Sequence, residues 1–129
     1  MTQDAKLRIL ISDDEAEMRD LLEITLGNKG YEIRTAATGP EAVSVAREFR
    51  PDLVLMDIRM PGDFDGVEAT RRIKADPDLA TTVVIGQTAV VELSEVKQNL
   101  KAGFDDYLGK PYLPIDVIDA ISRFFPESL

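Results

Sequence analysis

The chain has 129 residues, of which 24 are acidic and 15 basic, so its formal net charge is −9 at pH 7. This length fits one domain, and the negative charge disfavours direct binding to nucleic acid and insertion into an anionic membrane. Because cysteine and histidine are absent, a disulfide framework is excluded and a zinc or iron site is disfavoured. The first residues, Met1–Lys6, are too polar for a signal peptide and the apolar runs are too short to span a bilayer, so we expect a soluble, cytoplasmic single domain over residues 1–129.

The apolar pattern alternates five short strands with five helices. The predicted strands are Leu7–Ser12, Tyr31–Thr35, Leu53–Asp57, Thr82–Gln87 and Phe104–Gly109. The helices that follow them are predicted near Met18–Leu26, Gly39–Phe49, Val67–Ala75, Glu92–Ala102 and Leu113–Phe125. Five such units, with strands apolar on both faces, predict an α/β fold: a doubly wound parallel sheet covered by helices on both sides. The pattern stops near Phe125, so we expect no output domain.

Polar side chains stand where four of these strands end. They are Asp13 and Asp14 after the first strand, Asp57 at the third, Thr88 after the fourth and Lys110 after the fifth. In an open α/β sheet, ligands bind in the crevice outside the carboxyl ends of the strands. We therefore expect three carboxylates, one hydroxyl and one ammonium to share one pocket.

The clustered carboxylates need a counter-charge. Two unit charges of the same sign about 4 Å apart repel by around 4 kcal/mol at an effective dielectric constant of 20. Protonation, Lys110 or a hard divalent cation could each offset that repulsion. Magnesium suits best, because it accepts one or two carboxylates while keeping waters and a phosphate oxygen. A carboxylate beside such a metal, with a hydroxyl and an ammonium opposite, is equipped to receive a phosphoryl group.

The ordered set of motifs resembles the receiver domain of bacterial two-component response regulators. The matching segments are Asp13-Asp14-Glu15, Asp57-Ile58-Arg59-Met60-Pro61-Gly62, Thr88-Ala89 and Asp106-Tyr107-Leu108-Gly109-Lys110-Pro111. The resemblance covers the chain from Leu7 to about Phe125. It implies a flavodoxin-like (βα)5 fold with strand order 2-1-3-4-5, and a single receiver domain.

The resemblance also implies a role for each site residue. Asp57 is similar to the phosphoacceptor, and the expected magnesium ligands are Asp13, Asp14, Asp57 and the backbone carbonyl of Arg59. Thr88 matches the hydroxyl that turns toward the phosphoryl group, Lys110 the lysine that pairs with it, and Tyr107 the switch aromatic. The Lys110–Pro111 peptide bond is expected to be cis.

The implied activity is a switch that catalyses its own phosphoryl transfer and dephosphorylation without turning over an external substrate. The cofactor is Mg²⁺, for which Mn²⁺ can substitute. The implied phosphoryl donor is a sensor histidine kinase or a histidine phosphotransfer protein, and a downstream target protein reads the change. We expect a monomer or weak dimer that presents its switch on the fourth helix, fifth strand and fifth helix.

Two segments depart from the family pattern. The loop Met60–Gly66 is one residue longer than the common form, and Gly86-Gln87 replaces the usual apolar pair before Thr88. The longer loop is expected to reshape the rim near the metal. Gly86 is expected to weaken its strand through lost packing.

Each polar residue also has a purely structural interpretation. Asp13 or Asp14 alone could be a helix N-cap. Thr88 could be a turn residue, and Lys110 could be a solvated lysine.

Among other protein classes, a flavin-binding carrier is disfavoured, because acids after the first strand would repel the phosphate of the flavin. An aspartyl phosphatase would need an acid where Arg59 stands. A receiver-like interaction module that is not regulated by phosphorylation remains the alternative.

Overall fold

The computed structural model of the chain describes residues 6–89 and 102–126. Its strands are β1 (Arg8–Ser12), β2 (Glu32–Ala36), β3 (Leu53–Asp57), β4 (Val83–Ala89) and β5 (Asp106–Lys110). Its helices are α1 (Ala16–Gly27), α2 (Gly39–Phe49), α3 (Gly66–Ala75) and α4 (Pro114–Phe124), with a 3₁₀ turn at Pro77–Leu79. The helix predicted near Glu92–Ala102 lies, except for its last residue, outside the described part of the chain.

All five strands are parallel, and their order in the sheet is β2-β1-β3-β4-β5. This confirms the predicted doubly wound fold and its strand order. The order brings the carboxyl ends of β1 and β3 side by side, although their sequences are about forty residues apart. In such sheets the ligand crevice lies where the strand order reverses. Within the described ranges, no helix has the length and apolarity that a membrane crossing requires.

Apolar side chains cover both faces of the sheet, and β3 is buried along its whole length. One face packs on α2 and α3 through residues such as Val54, Met56 and Ile73. The other packs on α1 and α4 through residues such as Leu55, Ile85 and Leu22. Helices on both faces explain why consecutive residues in the middle of β1 and β3 are apolar instead of alternating with polar ones.

The face of the sheet that packs on α1 and α4 continues to the carboxyl ends of the strands. Ile11, Leu55 and Ile85 lie on that face, with Leu108 of β5 packed against them. Side chains two residues further along each strand point to the same side. These side chains are Asp13, Asp57, Gln87 and Lys110. The same rule that builds the core therefore places four polar groups together at one edge.

Gly86 in β4 provides space for aromatic packing. A Cβ atom at this position would lie 2.9 Å from Cδ1 of Tyr107 and 3.0 Å from the ring of Phe104. The two rings lie with centroids 5.2 Å apart. The packing that we expected to be lost at this glycine is thus supplied by two neighbouring side chains.

Candidate acidic phosphoryl site

Three carboxyl groups converge at the carboxyl ends of β1 and β3. One oxygen from each of Asp13, Asp14 and Asp57 lies within 4.8 Å of the other two. Asp13 is fully buried and Asp57 is 6% exposed, whereas Asp14 faces solvent. The strand order explains this meeting, because β1 and β3 are hydrogen-bonded neighbours.

Lys110 neutralises part of this negative charge. Its Nζ atom lies 3.1 Å from Oδ2 of Asp57 and 3.2 Å from Oδ2 of Asp13. Burial alone would lower the pKa of Lys110, but its hydrogen bonds and charge interactions with Asp57 and Asp13 outweigh burial and raise that pKa. The ammonium therefore stays protonated and bridges the two buried carboxyl groups.

Asp57 is the carboxyl group with the most perturbed protonation. Burial raises its pKa from 3.8 to about 6, and the charge of Asp13 adds to this effect. The hydrogen bond and charge of Lys110 act in the opposite direction, as does the backbone N–H of Arg59, which donates to Oδ1 over 3.2 Å. One ammonium thus compensates the buried charge only in part, which favours a further cation at this site.

Neither Asp13 nor Asp14 is the N-cap of α1. The cap position is held by Glu15, whose side chain makes no capping bond. Oδ1 of Asp13 instead accepts the backbone N–H of Glu15 over 2.9 Å. Because this contact uses Oδ1 and Lys110 contacts Oδ2, the Asp13 side chain is held from both sides.

The structure brings together Asp13, Asp14, Asp57 and Lys110, with Arg59 joined through its backbone. Thr88 is buried in β4, one residue beyond the register partner of Asp57. The partly buried Tyr107 packs with Phe104 on the opposite face of the sheet, against the α2/α3 core. The Lys110–Pro111 peptide bond is cis, as the resemblance implied.

The sequence analysis missed a polar pair beside the site. The hydroxyl of Tyr112 donates a hydrogen bond to Oε1 of the fully buried Gln87. Burial raises the pKa of Tyr112, and the charges of Asp13, Asp57 and Glu15 raise it further. In the sequence, Gln87 stands out as a departure from the apolar pattern of the family. A glutamine inside a buried strand, together with a tyrosine two residues after Lys110, was the available signal.

The donor set fits a hard divalent cation. Carboxylate oxygens from the loop after β1 and from the last residue of β3 lie within 4.8 Å of one another, and one of the three carboxyl groups is exposed. Magnesium binds through one or two carboxylates and keeps the rest of its shell for water and phosphate. The chain has neither histidine nor cysteine, the side chains that most often bind zinc and iron.

Comparison with known proteins decides the family. Residues 9–122 match the family model of the response regulator receiver domain. The chain belongs to this family. Receiver domains of two-component response regulators are signalling switches that accept a phosphoryl group. The acidic cluster described above lies at the carboxyl ends of the strands, where open α/β sheets bind their ligands.

Some curated relatives are about twice as long as this chain, and others have a similar length. The DNA-binding response regulator MtrA of Mycolicibacterium paratuberculosis is 34% identical over 111 residues, which cover 86% of this chain and 48% of MtrA. The chemotaxis protein CheY of Thermotoga maritima is 39% identical over 120 residues, covering 90% of this chain and 95% of CheY. The chain therefore spans about half the length of the longer curated relatives that it matches, such as MtrA.

A solved receiver domain shows the same fold. It belongs to the sensor histidine kinase PA1611 of Pseudomonas aeruginosa PAO1 and has a magnesium ion coordinated in its active site cleft. The two structures share 33% sequence identity and superpose with a TM-score of 0.82, over 92% of this chain and 97% of the other.

Proposed function

We propose that this receiver domain is a magnesium-dependent switch in which Asp57 accepts a phosphoryl group from a phosphohistidine. The observation that carries the proposal is the ammonium of Lys110, 3.1 and 3.2 Å from the two buried carboxyl groups of Asp57 and Asp13. A nucleophile held beside a fixed cation and a second acid is the arrangement that phosphoryl transfer requires.

The residues have separate tasks in this proposal. An oxygen of Asp57 forms a bond to phosphorus while the bond from phosphorus to the donor histidine breaks, and the imidazole keeps the electron pair. Asp13, Asp14, Asp57 and the backbone carbonyl of Arg59 would hold the Mg²⁺ ion, which supplies positive charge to the phosphoryl oxygens when bound. Lys110 pairs with the same oxygens, and Thr88 provides a hydroxyl from β4.

The donor in this proposal is a sensor histidine kinase or a histidine phosphotransfer protein, and a downstream target protein reads the phosphorylated state. The domain, with its core over residues 7–125, catalyses its own phosphorylation and dephosphorylation in the cytoplasm and turns over no external substrate. The net charge of −9 supports a protein partner over nucleic acid. Mn²⁺ can replace Mg²⁺, because both accept carboxylate and water oxygens.

Intact-mass spectrometry tests the proposal after incubation with acetyl phosphate and Mg²⁺. Wild type should gain one phosphoryl group, and EDTA should prevent the gain. Asp57→Asn should remain unlabelled, whereas Asp119→Asn, which removes a charge from an exposed residue of α4, should label as wild type does. Undiminished labelling of Asp57→Asn would place the nucleophile elsewhere. No labelling of wild type would favour an interaction module that phosphorylation does not regulate.

A further inference from the structure

A buried amide lies next to the phosphoacceptor position. Gln87 is fully buried, and its Cα atom is the register partner of Asp57 in the β3–β4 pair. Both side chains continue the α1/α4 face of the sheet, two residues beyond Ile85 and Leu55 respectively. Because neighbouring strands lie about 4.8 Å apart, the two side chains begin within reach of each other.

Gln87 also belongs to the strand that the contact between Lys110 and Asp57 crosses. Strand β4 separates β5, which carries Lys110, from β3, which carries Asp57. The ammonium nevertheless reaches Oδ2 of Asp57 over 3.1 Å. The lysine side chain therefore spans β4, and Gln87 is the residue of β4 that shares the level and the face of Asp57.

In the side-chain amide of Gln87, the oxygen has a hydrogen-bond partner, but the nitrogen has none among the described residues. The hydroxyl of Tyr112 donates to Oε1 of Gln87, so the N–H₂ group points away from that hydroxyl. Burial and the nearby acids raise the pKa of Tyr112, which keeps the hydroxyl protonated and donating. Among the described residues, Nε2 of Gln87 is buried without a hydrogen-bond partner. Buried donors without an acceptor are unfavourable and rare in folded proteins.

We propose that Gln87 takes a direct part in the phosphoryl chemistry of Asp57: Tyr112 is the positioning residue that orients its amide, and Nε2 donates to the carbonyl oxygen of the aspartyl phosphate. This inference rests on the proposed function. During hydrolysis, the oxygen of a water bonds to phosphorus, the bond from phosphorus to the Asp57 oxygen breaks, and its electron pair returns to the carboxylate. The water's proton passes to solvent. An N–H donor on that carboxylate stabilises the negative charge as it develops, so Gln87 accelerates loss of the phosphoryl group.

The test follows loss of label after phosphorylation with ³²P-acetyl phosphate and removal of the donor. Gln87→Met keeps the length of the side chain and removes the amide, and it should lengthen the half-life of the aspartyl phosphate about tenfold, the effect of one hydrogen bond to a charged group. Tyr112→Phe leaves the amide in place but without its orienting partner, so a smaller increase is expected. Ile85→Val is the matched control, a small change on the same strand and face, and should leave the half-life unchanged.

Two further measurements separate a direct role of the amide from a structural one. Because Gln87→Met also removes the acceptor of the Tyr112 hydroxyl, its effect on melting is measured in the Tyr112→Phe background. There, Gln87→Met should melt at or above the temperature of Tyr112→Phe alone, because it removes a buried donor that has no partner among the described residues, whereas a merely structural Gln87 would leave a less stable variant. In wild type, the side-chain amide proton signals of Gln87 should move downfield when beryllofluoride and Mg²⁺ are added.

Unchanged amide signals in a protein that binds beryllofluoride would overturn the inference, even if Gln87→Met does not fold. An unchanged half-life in Gln87→Met would overturn it as well, as would an equal increase in Ile85→Val. A wild-type protein that takes up no phosphoryl group would reject the proposed function, and this inference with it. A failure of wild type to take up the phosphoryl group is distinguishable from the other outcomes, because each of those is compared with a wild-type protein that has been phosphorylated or has bound beryllofluoride.

Discussion

Asp57 is a carboxyl group that folding places in an unfavourable environment. Four fully buried apolar residues, Leu53–Met56, lead into it, and its own exposure is 6%. Lys110 compensates its charge only in part, so burial still raises the pKa of Asp57 to about 6. A carboxyl group that is buried despite this cost in stability is typical of a functional site, since perturbed pKa values cluster at such sites.

The first prediction concerns the stability cost of Asp57. Its pKa is 3.8 when unperturbed and about 6 in the folded protein, so between these pH values the folded state binds more protons than the unfolded state. Stability is therefore lost as pH rises from about 4 to 6, by up to about 3 kcal/mol. Without metal, Asp57→Asn should have a higher free energy of unfolding than wild type at pH 7, and the gain should shrink toward pH 4.

Urea denaturation in EDTA across this pH range measures the effect. A gain that grows on acidification would show that Lys110 overcompensates the charge of Asp57. A variant less stable than wild type at pH 7 would lead to the same conclusion.

The second prediction concerns the metal. Mg²⁺ should stabilise wild type by about 2.7 kcal/mol at a concentration one hundred times its dissociation constant. Asp14→Ala should bind Mg²⁺ much more weakly, because it removes one of three converging carboxylates. Titration calorimetry measures the affinity directly, and Asp119→Ala, which removes an equal charge from an exposed residue of α4, is the control. Equal affinities for Asp14→Ala and Asp119→Ala would rule out Asp14 as a ligand.

Among the elements, the longer loop between β3 and α3 is held in place by close contacts. Gly62, with φ of +109°, packs on the ring of Pro40. The guanidinium of Arg72 lies 3.9 Å from the centroid of the Phe64 ring. Asp65 caps α3 by accepting the backbone N–H groups of Val67 and Glu68. The added residue is thus accommodated between the starts of α2 and α3, and α3 begins directly beside the strand that carries Asp57.

The third prediction tests that close approach at Gly66. A Cβ atom there would lie 2.0 Å from the carbonyl oxygen of Asp57. Gly66→Ala should therefore destabilise the protein by about 2 kcal/mol or more, because the backbone of β3 or α3 has to shift. The control is Gly27→Ala in α1, where no atom lies within 4 Å of the new Cβ. This change should stabilise the helix by about 0.5–1 kcal/mol. Equal stabilities of the two variants, measured by urea denaturation, would contradict the packing described here.

The sequence was sufficient to predict the strands and helices of the described ranges and the convergence of the charged site residues. Strand-end positions alone placed Asp13, Asp57 and Lys110 in one pocket, because parallel strands end at the same edge. The contact between Tyr112 and Gln87 could not be predicted in this way. It depends on which face each side chain occupies and on the path of the chain after the cis bond at Pro111, both of which tertiary packing determines. The same is true of Gly86, whose missing side chain makes sense only once the rings of Phe104 and Tyr107 are placed.

At the scale of the whole molecule, β5 carries side chains of interest on both faces of the sheet. It carries Lys110 at the acidic site and Tyr107 on the opposite face, three residues earlier. A phosphoryl dianion that draws on Lys110 and Thr88 offers charge-assisted hydrogen bonds in one conformation only. It can therefore shift an equilibrium that involves β4, β5 and the rings of Phe104 and Tyr107.

The fourth prediction is that Thr88→Ala accepts a phosphoryl group at Asp57 but transmits the change poorly. Moving an equilibrium from mostly inactive to mostly active requires about 5.5 kcal/mol. The loss of one or two charge-assisted bonds, each about 1.5–3 kcal/mol, should leave it midway. Backbone amide NMR with beryllofluoride and Mg²⁺ measures this.

In wild type, shifts should extend from Asp57 to Tyr107, and in Thr88→Ala the shifts at Tyr107 should be smaller. We also expect the switch at Val90, Val91 and the predicted helix Glu92–Ala102, which includes Leu93. Except for Ala102 these positions lie outside the described residues, and the same spectra report on them. Wild-type shifts confined to the surroundings of Asp57 would contradict a switch that reaches the far face.

The most direct test of the account is to locate the phosphoryl group itself. Borohydride reduces an aspartyl phosphate to homoserine, which peptide mass spectrometry then identifies by position. After incubation with acetyl phosphate and Mg²⁺, we expect homoserine at position 57 and unmodified Asp13 and Asp14. Homoserine at position 13 or 14, or at none of the three positions in a protein that has gained a phosphoryl group, would contradict the assignment of Asp57 as the acceptor.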